Sequence, residues 1–141
     1  MKTPLAPLLL APHRREPAWL APAAAVLGIL ALASIPGVPA EEVEGRFSIA
    51  ALPPTLQNAL HIPLYGIITW VWLRALHHVG QRATHLGLAA TAALATGLLD
   101  ELRQGFVPGR YASLTDMALN AAGILLALLL WHGLTRQLTP R

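Results

Sequence analysis

Four apolar runs, Ala18–Ile35, Leu56–Leu76, Leu86–Leu99 and Leu114–Leu134, set the terms on which this chain can fold. A helix crossing a bilayer needs about 20 residues of this kind, four spans is the simplest count, and 141 residues is one domain's worth of protein. The expected fold is all-α: a polytopic membrane protein, a compact bundle of four transmembrane helices forming one domain over residues 1–141. The expected spans are 18–35, 56–76, 86–104 and 114–134. The third run is short, and it reaches spanning length only if its helix continues through Asp100, Glu101 and Gln104. The second contains Pro63, which lacks a backbone donor but falls in the first turns of its helix, where a slight bend is the expected cost. On the fourth, Asn120, Gly123 and Ala127 are spaced three to four apart and make a small-residue stripe that faces another helix. The composition agrees, since 55% apolar and 12% charged residues is a balance foreign to soluble domains of this size.

Lysine and arginine set the orientation, because cytoplasmic flanks carry the excess. Lys2, Arg14 and Arg15 precede the first span, Arg74 and Arg82 bracket the second connection, and Arg136 and Arg141 follow the fourth span. The opposite side holds Arg46, Arg103 and Arg110 with every acidic residue except Glu16. Both termini are therefore expected in the cytoplasm, with the loops around Glu41–Arg46 and Gly105–Ser113 outside. A competing reading makes the N-terminal run a signal peptide cleaved after Ala40. That run is longer than a usual signal core, so the span is expected to be retained, and cleavage would leave the orientation of the rest unchanged.

Two classes of partner are set aside by composition. There is no cysteine, which removes disulfides and thiolate metal sites. The net charge of +3 comes from scattered basic residues without an aromatic-interleaved patch, so no nucleic-acid partner is expected.

With this topology the polar residues of three helices converge at the outer leaflet. His61 and Tyr65 lie four apart at the start of the second span; Asp100, Glu101 and Gln104 end the third; Ser113, Asp116 and Asn120 share one face at the start of the fourth. The turn pair Pro108–Gly109 folds Arg110 back towards the helix ends, where it meets a carboxylate or an anionic ligand. Asp100 is expected to face the Asp116 stripe, with Glu101, about 100° away around the helix, nearer the loop and Arg110. His77, His78 and His85 read as solvated, and His132 and the tryptophans as interface or packing residues.

The stretch "DELRQGFVPGRYASLTDMALNAAG" resembles the signature of the VanZ-like membrane proteins, approximately D-E-x-x-Q-x-x-x-P-G-R-x-x-S-x-x-D-x-x-x-N-x-x-G. Asp100, Glu101, Gln104, Pro108, Gly109, Arg110, Ser113, Asp116, Asn120 and Gly123 all fall on it. His61 and Tyr65 match the histidine and aromatic residue common in the second span of the family, whereas Asn58, Ala59 and Leu60 stand where many members carry a lysine. The resemblance implies a multi-pass protein of the bacterial plasma membrane. The resemblance also implies a link, through the family's namesake, to low-level resistance to the lipoglycopeptide teicoplanin.

Three functions follow, in this order. The first is binding of the headgroup of a membrane lipid or cell-envelope precursor, with His61, Tyr65, Asp100, Glu101, Gln104, Arg110, Ser113, Asp116 and Asn120 as candidate ligand-binding residues. The second is an intramembrane acid/base or metal-assisted enzyme acting on such a lipid; the balance leans away from catalysis, and no catalytic residue is assigned. The third, a proton-linked transporter or flippase, wants polar groups deeper in the membrane than these. No cofactor and no metal are expected, because the histidine and carboxylate spacing matches no strong ligand motif. The small-residue stripe permits a homo-oligomer.

Overall fold

The structure, a computed structural model, describes residues 19–37 and 52–138. The N-terminal basic flank with Lys2, Arg14 and Arg15, the Ala40 cleavage point, the Glu41–Arg46 loop and Arg141 lie outside the described residues. Within them the chain is helical and contains no strand, in the order α1 (Leu20–Ala33), α2 (Pro54–Ala59), α3 (His61–Ala75), α4 (Arg82–Gln104) and α5 (Leu114–Leu138).

The short α2 starts at a pair of prolines: Pro53 is extended and Pro54 occupies the first helical positions, where a missing N–H costs nothing. Leu60 joins α2 to α3 in helical conformation, and the Leu64 amide bonds its carbonyl at 3.1 Å. Pro63 offers no donor to the Ala59 carbonyl, so the interruption falls where the proline removes one hydrogen bond. The α4 helix runs unbroken through Asp100, Glu101 and Gln104 for 23 residues, the continuation its length requires. One helix among the described residues, Leu114–Gln137 within α5, is long and apolar enough to cross a membrane, with a mean hydropathy of 1.8. The α1 helix is apolar but has 14 residues; α4 has the length, and its threonines, His85 and charged ends lower its hydropathy.

The longest interface is between α3 and α5, with α4 packed on both and α1 against α3 and α4. It is built on small residues: a Cβ added at Gly123 would overlap the Ile62 carbonyl, and Gly66 sits across from the Gly123 carbonyl. Asn120 and Ala127, on the same stripe, are buried as well. Ile29, Tyr65, Ile68, Ala93 and Ile124 form one apolar cluster. Leu73, Ala89 and Trp131 form a second towards the other end.

His85 corrects the sequence reading. It is buried rather than solvated, because its Nε2 pairs with the Leu73 carbonyl at 2.7 Å. Leu73 lies in the last turn of α3, where carbonyls have no partner within the helix. His85 therefore supplies an α4 side chain to close α3.

Candidate functional site

The polar end of the bundle is assembled by three helix termini. The first turn of α3 brings His61 and, one turn on, Tyr65; their rings are parallel to within 2° with centroids 6.2 Å apart. The last turn of α4 brings Asp100, Glu101 and Gln104, all buried. The first two turns of α5 bring Asp116 and Asn120, preceded by Ser113.

Hydrogen bonds connect the three. The His61 Nδ1–H donates to Asn120 Oδ1 at 2.8 Å, and His61 Nε2 lies 4.0 Å from Asp116 Oδ2. The Tyr65 hydroxyl donates to Asp100 Oδ2 at 3.0 Å. The Ser113 amide donates to Glu101 Oε2 at 2.7 Å. Gly97 makes room for this, since a Cβ there would sit 3.1 Å from Asn120 Nδ2 and 3.2 Å from Tyr65 Cε1. Three buried polar atoms of the cluster, Glu101 Oε1, Asp116 Oδ1 and Asn120 Nδ2, have no hydrogen-bond partner among the described residues. Such atoms are costly to bury unpaired.

Above this layer opens a cleft of about 990 Å³. Its walls are apolar, from Ile29, Leu32 and Ile35 near α1 and Leu60, Leu64 and Ile67 on α2–α3; its polar lining includes Gln57, Asn58, His61, Asp100, Gln104, Arg110 and Asp116. The sequence-predicted residues thus divide into two layers. His61, Asp100, Gln104, Arg110 and Asp116 border the cleft, whereas Tyr65 and Asn120 sit behind it and hold Asp100 and His61, and Glu101 and Ser113 pair with each other. Gln57 and Asn58 were not among the candidates. The signal available for them was their position one turn before His61 on an otherwise apolar stretch.

Arg110 departs from expectation. Its Nε donates to the Ile35 carbonyl at 3.1 Å, and no carboxylate among the described residues pairs with it. Arg103 likewise donates from Nε to Ser34 Oγ at 2.7 Å. Both arginines are drawn to the C-terminal end of α1, where unpaired carbonyls and the helix dipole favour cations. Glu101, expected beside Arg110, instead takes the Ser113 amide. The arginine loop is fixed by backbone contact: Gly109 has φ +74, a conformation natural to glycine, and the Gly37 amide donates to the Pro108 carbonyl at 3.1 Å. A Cβ on either glycine would meet the backbone of the other.

The arrangement can hold a polar or ionic group at the bottom of a cleft whose upper walls suit hydrocarbon. Among known proteins, the sequence model of the VanZ/LLP1 family matches residues 13–136. No curated protein and no solved structure matches the chain.

Proposed function

The chain belongs to the VanZ/LLP1 family, and from that premise we propose that it binds the polar headgroup of a membrane lipid or cell-envelope precursor. In this reading it is a multi-pass protein of the bacterial plasma membrane with four spans and both termini in the cytoplasm. The cleft then opens at the outer leaflet. The observation that carries the reading is the cleft itself: leucine and isoleucine walls converge on a floor bearing Arg110, His61, Gln57 and Asn58. An amphiphile needs that division, with acyl chain against apolar wall and headgroup against charged and amide donors. Ile67, on the wall, is 62% exposed, and α5 turns Leu125, Leu126, Leu129 and Leu130 outward, the apolar exterior that lipid covers. Arg110 keeps guanidinium donors beyond the one given to Ile35, and its planar fork suits a phosphate or carboxylate. A role in envelope homeostasis or teicoplanin resistance would follow where the bound headgroup belongs to a cell-wall precursor.

Native mass spectrometry in mild detergent tests this. Wild-type protein is expected to carry a discrete lipid-sized adduct that is lost in a helical, monodisperse Arg110→Ala variant and weakened in Asp116→Asn. Bare protein in every sample sinks the proposal. A second reading, an acid/base enzyme acting on the same lipid, draws support from His61 lying beside Asp116 at the cleft floor; turnover of an added lipid extract that stops in His61→Ala would favour it.

A further inference from the structure

The floor of the cleft has an unresolved charge balance. Asp100, Glu101 and Asp116 are buried at 3%, 4% and 7% exposure, and among the described residues the only cation-forming group within ion-pair distance of any of them is His61. The nearby arginines give their Nε donors to Ser34 and Ile35. Three carboxylates packed together without a cation are strongly unfavourable in a low-dielectric site. A shared proton or a bound positive ion would relieve that cost.

The geometry of the partners favours the ion. One ligand atom from each of His61, Asp100 and Glu101 lies within 4.8 Å of the others. Each residue is also held from behind by a group that leaves a donor atom free. His61 spends Nδ1 on Asn120, which leaves Nε2 for a second partner. Asp100 spends Oδ2 on the Tyr65 hydroxyl. Glu101 spends Oε2 on the Ser113 amide, and its Oε1 is buried without a partner. Outer hydrogen bonds of this kind, an imidazole N–H to a carbonyl oxygen and hydroxyl or amide donors to carboxylates, are how metal ligands are oriented. A fourth group points to the same place from α5: Asp116 sends Oδ2 towards His61 Nε2 at 4.0 Å, while its Oδ1 is buried and unpaired.

We propose that His61, Asp100 and Glu101 bind one divalent first-row metal ion, with Asp116 beside it as a further carboxylate. A nitrogen ligand with two carboxylates suits the range from Mn²⁺ to Zn²⁺ rather than a thiolate-seeking ion. Bonds of about 2.0–2.2 Å at tetrahedral angles set ligand atoms about 3.3–3.6 Å apart, so the side chains, now within 4.8 Å of one another, close by up to about 1.5 Å to reach the ion. His61 and Asp100 border the cleft, so the ion would be accessible from it. The inference does not depend on headgroup binding.

The test is a Mn²⁺ titration of the full chain in mild detergent after chelator treatment, read by loss of the free-ion electron paramagnetic resonance signal, with Zn²⁺ as competitor. Wild type is expected to take up one Mn²⁺ per chain, displaced by Zn²⁺ as the order of affinities requires. Glu101→Gln and His61→Ala abolish saturable uptake. Tyr65→Phe, which keeps all three ligands and removes an outer hydrogen bond, weakens it by about tenfold. Circular dichroism and gel filtration certify each variant as folded. Wild type without stoichiometric uptake of either ion overturns the proposal, as does uptake equal in all variants. Native mass spectra of the chelated protein separate the two readings: a lipid adduct without metal uptake defeats this inference alone, and metal uptake without an adduct defeats headgroup binding alone.

Discussion

Gly123 shows how far one missing methyl group decides the architecture. It lies in the middle of the α3–α5 interface, where a Cβ would occupy the space of the Ile62 carbonyl, a backbone atom that no rotamer change can move. The same interface carries Asn120, whose bond to His61 requires α3 and α5 at their present separation. Gly123→Ala is expected to destabilise the protein by roughly 1–3 kcal/mol, the usual range for overpacking, seen as a lower melting temperature in detergent. Gly87, also helical, has nothing within 4 Å of an added Cβ. Gly87→Ala should therefore stabilise by about 0.5–1 kcal/mol through helix propensity alone. Equal losses at the two positions would mean that the α3–α5 contact is looser than described.

At the scale of elements, the start of α5 is completed by α4. Ser113 precedes the first turn, and its Oγ accepts from the Thr115 and Asp116 amides at 3.2 and 3.4 Å. In a capping box the residue three further on would reach back to the Ser113 amide. Here that residue, Asp116, turns towards His61, and Glu101 of α4 takes the amide in its place. Ser113→Ala is expected to cost about 1 kcal/mol and to speed hydrogen exchange at the Thr115 and Asp116 amides while sparing the centre of α5. Unchanged exchange there would remove Ser113 as the cap. The spacing of His61 with Tyr65, and of Asp116 with Asn120, made their shared faces legible in the sequence, as did the run of α4 through its acids. The partners of Glu101, Arg110 and His85 were not legible. Each pairs with a backbone group of another element, and a backbone amide or carbonyl leaves no mark in a sequence. Electrostatic reasoning offered Arg110 a carboxylate or an anionic ligand; within the protein its Nε goes to the Ile35 carbonyl at the end of α1.

For the whole molecule, the decisive quantity is which way the bundle faces. The chain has no cysteine, so single cysteines report position without background. Tyr111, in the α4–α5 loop, is 84% exposed, and Val79, in the α3–α4 loop, is 41% exposed. With the proposed orientation, an impermeant maleimide added to intact cells labels Tyr111→Cys and leaves Val79→Cys unlabelled until the cells are opened. The reverse pattern would invert the topology and move the cleft to the cytoplasmic leaflet; labelling of both would place the two loops on one side and end the four-span reading.

The attachment of α1 carries a consequence for how freely this chain can vary. At its C-terminal end the helix is gripped through main-chain atoms: Arg110 takes the Ile35 carbonyl, Pro108 takes the Gly37 amide, and two glycines touch face to face. A grip on the main chain is blind to the letters written along it. The outward positions of α1, such as Leu27 at 67% exposure, can therefore be rewritten with other apolar letters, while Ile29 and Ala33 are held by packing and Gly37 by the lack of space for anything larger. The lipid-facing side of the first helix is then the free part of a fitted piece, and diversity among such chains should collect on that side.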